Sequence, residues 1–219
     1  MGLGSTPRSG APDVSELGLF PLPLVLLPTE QVPLHIFEER YKELIGECLA
    51  ENREFGLVFA DDDRVHEIGT RAAVVEVLPP AFEDGRMNIV VEGRERFRLV
   101  RLTHGRSFQT AETAPIEDAD EVAEPETVER ARELFGRLSD LTQSDVEVPE
   151  PDTPQLSYAL ASRLSELAND FRLELLEETS EPARLERVCE VLEDVGEAVE
   201  RQRRAAERAA TNGKVDLGI

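Results

Sequence analysis

The sequence predicts an α+β fold in which a mostly antiparallel β-unit is followed by a group of helices, and three observations lead to this class. Short apolar runs separated by glycine, proline and aspartate fill much of the first half of the chain, which is typical of antiparallel strands and their turns. One amphipathic stretch with helical spacing interrupts these runs after residue 36. Beyond an acidic stretch at 115–126, apolar residues recur every three or four positions, which indicates packed helices.

The composition restricts the kinds of partner that the chain can bind. It has 219 residues, of which 40% are hydrophobic, and this is enough for a substantial core. Lysine and arginine together number 24 against 46 aspartates and glutamates, so the net charge of −22 repels nucleic-acid phosphates and anionic lipids. We therefore expect neither nucleic acid nor a membrane as a partner.

The two cysteines, Cys48 and Cys189, fall on the apolar side of predicted helices and are expected to be buried free thiols. No secretory signal is recognisable, and the apolar run at 19–27 is too short and too rich in proline to span a bilayer. Together these features predict a cytoplasmic protein.

Residues 19–45 are expected to supply the first strand, a sharp turn and the first helix. The run at 19–27 contains Pro21 and Pro23, and because proline lacks a backbone donor, this strand is expected at a sheet edge or seam. After the turn-like residues 29–33 the period becomes helical, so this helix should pack its apolar side on the sheet. Its apolar positions are Ile36, Phe37, Tyr41, Leu44, Ile45, Cys48 and Leu49.

The same stretch resembles a known family. Residues 22–41, LPLVLLPTEQVPLHIFEERY, resemble the opening of the Lon-type substrate-binding domain, the N-terminal domain of the ATP-dependent Lon protease. Where that family usually has Phe-Pro-Gly, this chain has Leu27-Pro28-Thr29, so the turn must form without glycine. The resemblance implies a PUA-like β-barrel with one packed helix, followed by an α-helical bundle that ends in a long helix.

Turn residues and alternation predict the remaining strands. Gly69, in an Ile-Gly-Thr step that also resembles the family, is expected to allow a positive φ or a bulge before a strand. Asp84-Gly85 marks a hairpin, and Gly93-Arg94 marks a tight corner. The strands are predicted at 55–60, 71–78, 87–92, 96–102 and 107–114.

Three helices are predicted beyond the acidic linker, at 125–141, at 155–178 and from Ser180 onward. The third has a coiled-coil-like apolar seam between residues 185 and 199. The stretch from Leu175 to Glu200 resembles the helical bundle of the Lon N-terminal region. The seam residues are Leu185, Val188, Leu192, Val195 and Val199.

The resemblance covers residues 17–208 and implies a stand-alone domain without the ATPase and peptidase domains of Lon. We expect a disordered leader, a PUA-like β-barrel subdomain, a helical bundle subdomain and a tail. These are placed at 1–16, 17–116, 125–210 and 211–219 respectively.

The residues of known catalytic centres are absent or badly placed. Gly213-Lys214 lacks the upstream glycines of a phosphate-binding loop. A Ser–Lys peptidase needs a desolvated lysine, but Lys42 lies on a charged helix face and Lys214 in the tail. The three histidines and two cysteines have no metal-ligand spacing. We expect no enzymatic activity, no catalytic residue, no cofactor and no metal.

Three features could contact a peptide. The first is an aromatic side chain in the hairpin loop 79–86, which either meets a partner or folds back over the barrel. The second surrounds the start of the first helix, although Glu38 could instead serve the helix dipole. The third is a group of arginines that either attract acidic peptide ends or neutralise the chain's own carboxylates. The predicted contact residues are His35, Phe37, Glu38, Phe82, Arg94 and Arg96.

The resemblance implies a binding domain that recognises protein or peptide substrates, including unfolded segments, as an adaptor beside a separate protease or chaperone. A small-ligand or RNA-binding PUA-like module is the alternative, although the lack of tryptophan and the charge of −22 weigh against it. A weak homo-oligomer formed through the seam at 185–199 is a further hypothesis.

Overall fold

The computed structural model describes residues 14–61, 64–79, 85–164 and 167–212. The chain forms two compact units, one from residues 14–117 with 168–177 and the other from residues 118–167 with 178–212. The strands are β1 Ser15–Leu22, β2 Gln31–Ile36, β3 Phe55–Ala60, β4 Val65–Leu78, β5 Met87–Thr103 and β6 Thr110–Pro115. The helices are α1 Glu39–Glu51, α2 Pro125–Thr142, α3 Leu156–Ala161, α4 Asn169–Glu177 and α5 Glu181–Asn212.

The first unit contains a mixed sheet in the order β2-β5-β4-β3-β1-β6. The pairing of β1 with β3 is parallel, and the other strand pairs are antiparallel, as the sequence predicts. Since β6 pairs with both β1 and β5, five strands form a closed circuit of hydrogen-bonded neighbours. The sixth strand, β2, pairs with the first half of β5, outside that circuit.

Strand β5 is one strand of 17 residues, not the two strands that the sequence predicts around Gly93. Its first half pairs with β2 up to Glu92, and its second half pairs with β6 from Phe97 onward. Gly93 lies between these halves, and a Cβ added there would stand 2.1 Å from the carbonyl oxygen of Leu27. The glycine is therefore required for a close backbone approach at the place where β5 changes partner.

The turn that packs on Gly93 forms without glycine, as the sequence requires. The Glu30 amide donates to the Leu27 carbonyl at 3.2 Å, Pro28 follows Leu27, and Thr29 has a φ of 67°. Proline in the second position and a positive φ in the third are the features of a type II turn. Thr29 therefore adopts a left-handed conformation that a β-branched residue rarely accepts.

Gly69 also serves close packing and not the positive φ that the sequence suggests. A Cβ there would stand 2.6 Å from the Leu57 carbonyl oxygen. Among the described glycines, positive φ angles occur at Gly85 and Gly105. A register shift against β3 lies directly before Gly69, since Val58 faces Gly69 whereas Ala60 faces Val65, so the predicted irregularity does occur beside this glycine. Further shifts against β5 lie between Thr70 and Ala72 and between Val74 and Glu76.

Helix α1 closes the main core of the first unit. Its buried residues Tyr41, Leu44, Ile45 and Cys48 belong to the same cluster as Phe20, whose ring lies 4.0 Å from that of Tyr41. Cys48 is a buried free thiol, as predicted, and burial raises its pKa to about 11. The other buried residues of this cluster are Leu26, Ile36, Phe55, Leu57, Ala72, Ile89, Val91 and Phe108.

The helix predicted at 155–178 is instead two helices, α3 and α4, and α4 belongs to the first unit. After α3, the side chains of Ser162 and Arg163 both donate to the Ala159 carbonyl, and this competes with continued helix formation. The first residue of α4, Asn169, bonds to the Pro23 carbonyl and the Val25 amide at 3.3 Å each. These hydrogen bonds attach the first residue of α4 to the connection between β1 and β2.

The second unit is built from α2, α3 and α5. Ser180 caps α5, as predicted, through a bond from the Ala183 amide to its hydroxyl. The side chain of Arg184 is fully buried, donates to Asp118 and Glu181, and lies 4.5 Å from the centre of the Tyr158 ring. It joins the segment before α2 to α3 and α5.

The predicted seam of α5 is buried in its first half. Leu185, Val188 and Leu192 lie in the core of this unit, Val195 is exposed and Val199 is half-buried. A contact between two chains along this seam would therefore be limited to its last two residues. Cys189 is a buried free thiol, as predicted, and burial raises its pKa to about 11.

We expect Gly93→Ala to lower the free energy of unfolding by about 3 kcal/mol, because the new methyl group would collide with the Leu27 carbonyl. Gly46→Ala is the matched control, since a Cβ added there would meet no atom within 4 Å other than those of its own helix backbone and chain neighbours. That change in the interior of α1 should raise stability by about 0.5–1 kcal/mol. Urea unfolding followed by circular dichroism measures both, and equal effects would contradict the assignment.

Thr29→Gly should raise the free energy of unfolding by about 0.5–1 kcal/mol, because the left-handed φ of 67° is strained for threonine. Thr29→Ala keeps a Cβ in the same conformation and should bring no such gain. Thermal unfolding of the two variants compares them directly. A gain from alanine as large as the gain from glycine would show that the backbone conformation is not the cause.

Candidate functional site

The edge strand β2 carries one predicted contact residue, His35, and leads directly to two more, Phe37 and Glu38. Within the described part of the chain, β5 is its one strand neighbour. Val32, Leu34 and Ile36 point towards the core, whereas Gln31, Pro33 and His35 are exposed. An extended strand thus offers a polar outer face and an outer edge, and Pro33 lies where a missing donor is tolerated.

An aromatic pair marks the end of β2. The His35 Nδ1 atom lies 2.6 Å from the Asn88 Oδ1 atom on β5, and the two residues face each other in the register. The rings of His35 and Phe37 stack with centroids 5.9 Å apart. Phe37 is 60% exposed, although it lies beside a large core. The structure therefore brings two of the predicted residues together on the surface.

Glu38 begins α1 through its backbone. It has extended φ and ψ angles, and its carbonyl accepts from the Tyr41 and Lys42 amides at 3.0 Å each. Within the described part, its carboxylate makes no cap hydrogen bond and pairs with Arg40 at 2.8 Å. The Arg40 guanidinium lies 4.5 Å from the centre of the Tyr41 ring, whose burial raises the pKa of its hydroxyl.

Arg94 belongs to β5 and lies two residues beyond Glu92, the partner of Gln31 at the first end of β2. Its guanidinium pairs with Glu92 at 2.7 Å, and the other oxygen of Glu92 accepts from the Gln31 side-chain Nε2 atom at 2.9 Å. Gln31 and His35 are four residues apart, which is about 14 Å in an extended strand. The edge of β2 thus has a charged end at Gln31 and Arg94 and an aromatic end at His35 and Phe37.

Arg96 is placed differently from its neighbour. It is only 2% exposed, and its Nη1 atom donates to the Leu176 carbonyl at the end of α4, at 2.7 Å. A peptide approaching from solvent could not reach this guanidinium without displacing α4. The adjacent Arg98 is exposed and lies 4.0 Å from Glu67.

Phe82, the remaining predicted contact, lies outside the described residues. Two apolar residues that the sequence analysis does not single out, Val75 and Val77, are exposed on β4. In the register, Val77 faces Ile89 of β5, which faces Leu34 of β2. The alternation Val75-Glu76-Val77 predicts that the two valines share one face of the strand, but it does not show that this face is exposed.

The arrangement offers a partner edge hydrogen bonds along β2 and an apolar contact at Phe37. In the described ranges, no group of three or more histidine, cysteine, aspartate or glutamate residues is placed to hold a metal ion. No helix within those ranges has the length and apolar character needed to cross a membrane.

Comparison with known families agrees with this fold. The model of the ATP-dependent protease La (LON) substrate-binding domain matches residues 16–194. The chain therefore belongs to the Lon substrate-binding domain family, and the resemblance seen in residues 22–41 is confirmed.

Curated relatives include full Lon proteases. The Lon protease of Brucella abortus biovar 1 is 29% identical over 130 residues, which is 54% of this chain and 16% of that protein. Lon protease 1 of Hydrogenovibrio crunogenus is 23% identical over 134 residues, or 58% of this chain and 16% of that protein. The matched region is thus about one sixth of the length of these relatives.

Two solved structures share the fold. The Lon N-terminal domain protein from Xanthomonas campestris is 28% identical, with a TM-score of 0.61 over 80% of this chain and 96% of its own. The N-terminal domain of Mycobacterium avium complex Lon protease has a TM-score of 0.64 at 19% identity, over 82% of this chain and 99% of its own. The predicted α+β architecture with a long C-terminal helix is therefore that of Lon N-terminal domains.

Arg96→Met should lower the free energy of unfolding by about 2 kcal/mol, because the buried carbonyl at the end of α4 loses its charged donor. Arg94→Met is the matched control: it removes an exposed ion pair and should cost less than about 0.5 kcal/mol. Guanidinium chloride unfolding measures both variants. The two free energies can be compared if the dependence on denaturant concentration is the same for both. A larger loss at Arg94 would contradict these assignments.

Proposed function

We propose that this protein is a non-catalytic binding module that recognises extended segments of other proteins through the edge of β2. The observation that carries the proposal is an edge strand, with β5 as its one strand neighbour in the described chain, that leads into a phenylalanine 60% exposed to solvent. Membership of a substrate-binding domain family supports the same role.

The geometry supports addition of a strand to β2. Alternate residues of an antiparallel strand direct their backbone groups to opposite sides. Since Pro33 has no donor, it fits the side away from β5, and this assigns the backbone groups of Gln31 to the same outer side. A peptide strand aligned there would hydrogen-bond to the outer edge and place apolar side chains near Phe37.

The chemistry of the site favours a polypeptide ligand over the alternatives. Edge hydrogen bonds recognise a backbone independently of its sequence, which suits unfolded or flexible protein segments. A small ligand would need an enclosed pocket with convergent polar groups, and the contact surface proposed here is a strand edge. A chain with a net charge of −22 would repel RNA.

In a cell, we place the protein in the cytoplasm, where its buried thiols stay reduced. There it would act as an adaptor that holds protein segments for a separate protease or chaperone. Its similarity to the N-terminal regions of Lon proteases supports this role.

The test measures fluorescence anisotropy of a labelled fifteen-residue peptide of alternating threonine and valine with one phenylalanine. Phe37→Ser should weaken binding about tenfold, because it removes an exposed aromatic contact. Leu49→Ser is the matched control, since it removes an exposed apolar side chain from α1 and should leave the affinity unchanged. Circular dichroism checks that both variants fold.

A second variant tests the backbone contact. Gln31→Pro removes the outward amide donor and should weaken binding to a similar degree without unfolding the chain. If Phe37→Ser and Gln31→Pro both bind the peptide as the unchanged protein does, the edge of β2 is not the binding surface.

A further inference from the structure

A second surface lies in the other unit, in a groove beside the start of α2. Its volume is about 410 Å³, and its lining is mainly apolar. Leu156 and Leu185 are buried and form the floor, and Val122 stands at the rim with 88% of its surface exposed. The other apolar residues of the lining are Ala123, Pro125, Val128 and Pro151.

Prolines make two parts of this wall stiff. Pro125 occupies the first turn of α2, where its fixed φ fits the helix. Pro151 is the second residue of the turn in which the Thr153 amide donates to the Glu150 carbonyl. The buried Arg184 holds the adjoining segment through Asp118. Because stiff walls lose little conformational freedom on binding, a ligand would meet a groove that is already formed.

The rim of the groove is negatively charged. Glu121 and Asp152 belong to the lining, and Glu124 and Glu126 flank Pro125 in the sequence. None of these four carboxylates forms an ion pair with any residue in the described part of the chain. Glu121 instead accepts a hydrogen bond from the Ser180 hydroxyl at 2.5 Å.

Other carboxylates of the same lining are neutralised. Glu129 pairs with Arg132 at 2.8 Å, and Glu181 pairs with Arg184 at 2.7 Å. Unpaired carboxylates beside an apolar wall attract a cation more strongly than they would on an open surface, because the wall excludes part of the screening water. Charge and apolar contact therefore both favour a ligand that carries a cation next to an apolar group.

We propose that this groove binds a polypeptide segment in which an apolar side chain is flanked by lysine or arginine. The apolar side chain would contact Val122 and the prolines of the lining, and the cations would pair with Glu121 and Asp152. This surface lies in a different unit from the edge of β2, and the proposal does not depend on the function proposed for that strand. Acidic segments and nucleic acids would be repelled by the same carboxylates.

The experiment uses the full chain and two labelled peptides of equal length, Gly-Lys-Leu-Lys-Leu-Lys-Gly and Gly-Glu-Leu-Glu-Leu-Glu-Gly. We expect the basic peptide to bind and the acidic one not to bind, as measured by fluorescence anisotropy. Raising the salt from 50 to 300 mM should weaken binding of the basic peptide by about threefold, because exposed charges are then screened.

Two double variants of equal charge locate the site. Glu121→Gln with Asp152→Asn should weaken binding of the basic peptide about fivefold. Asp140→Asn with Asp194→Asn is the control: these carboxylates are exposed in the same unit, do not line the groove, and should leave binding nearly unchanged.

A third variant, Val122→Ser, tests the apolar contact at the rim and should also weaken binding. Equal binding of the acidic peptide would overturn the proposal, as would equal losses in the two double variants or the absence of binding by either peptide. A loss in the double variant alone, with Val122→Ser unchanged, would show only general attraction to a negative surface and would also overturn it.

Discussion

The close approach of two backbone segments, at the Leu27 carbonyl and Gly93, determines the form of the first unit. Before Gly93 in the chain, β5 pairs with β2, and after Gly93 it pairs with β6. The hydrogen bonds between Thr29 or Glu30 and Gly93 hold the turn on the strand. Because β6 takes over the same side of β5, β2 remains at the margin of the sheet, and the outer edge proposed for binding is a consequence of this one contact.

Local sequence patterns predict those elements whose formation depends on residues close together in the chain. The helix that buries Tyr41 and Leu44 and the serine cap of α5 follow from residue type and spacing. The turn expected at 29–33 is instead closed between Leu27 and Glu30, and residues 31–36 form β2, a strand that the sequence analysis does not predict. The helical stripe does not predict the exposed position of Phe37, since the buried Ile36 belongs to the same stripe and also precedes the first turn of α1.

Long-range contacts explain the two main differences between sequence and structure. The apolar stripe at 155–178 has the same spacing whether one helix or two are formed, and the break depends on bonds from Asn169 to residues more than a hundred positions earlier. Likewise, alternation places Arg96 opposite the buried Phe97, and it cannot show that α4 covers that outer side. What packs over a sheet face is set by tertiary structure, which single-sequence periodicity does not record.

The order in which the chain is made gives the position of α4 a further meaning. Residues 168–177 complete the first unit, yet fifty residues of the second unit precede them in the chain. During synthesis, the strands emerge from the ribosome well before the helix that supplies the acceptor for Arg96 and the partner Arg172 for Glu30. Until this late segment is made, Arg96 cannot donate to the Leu176 carbonyl and Glu30 cannot pair with Arg172.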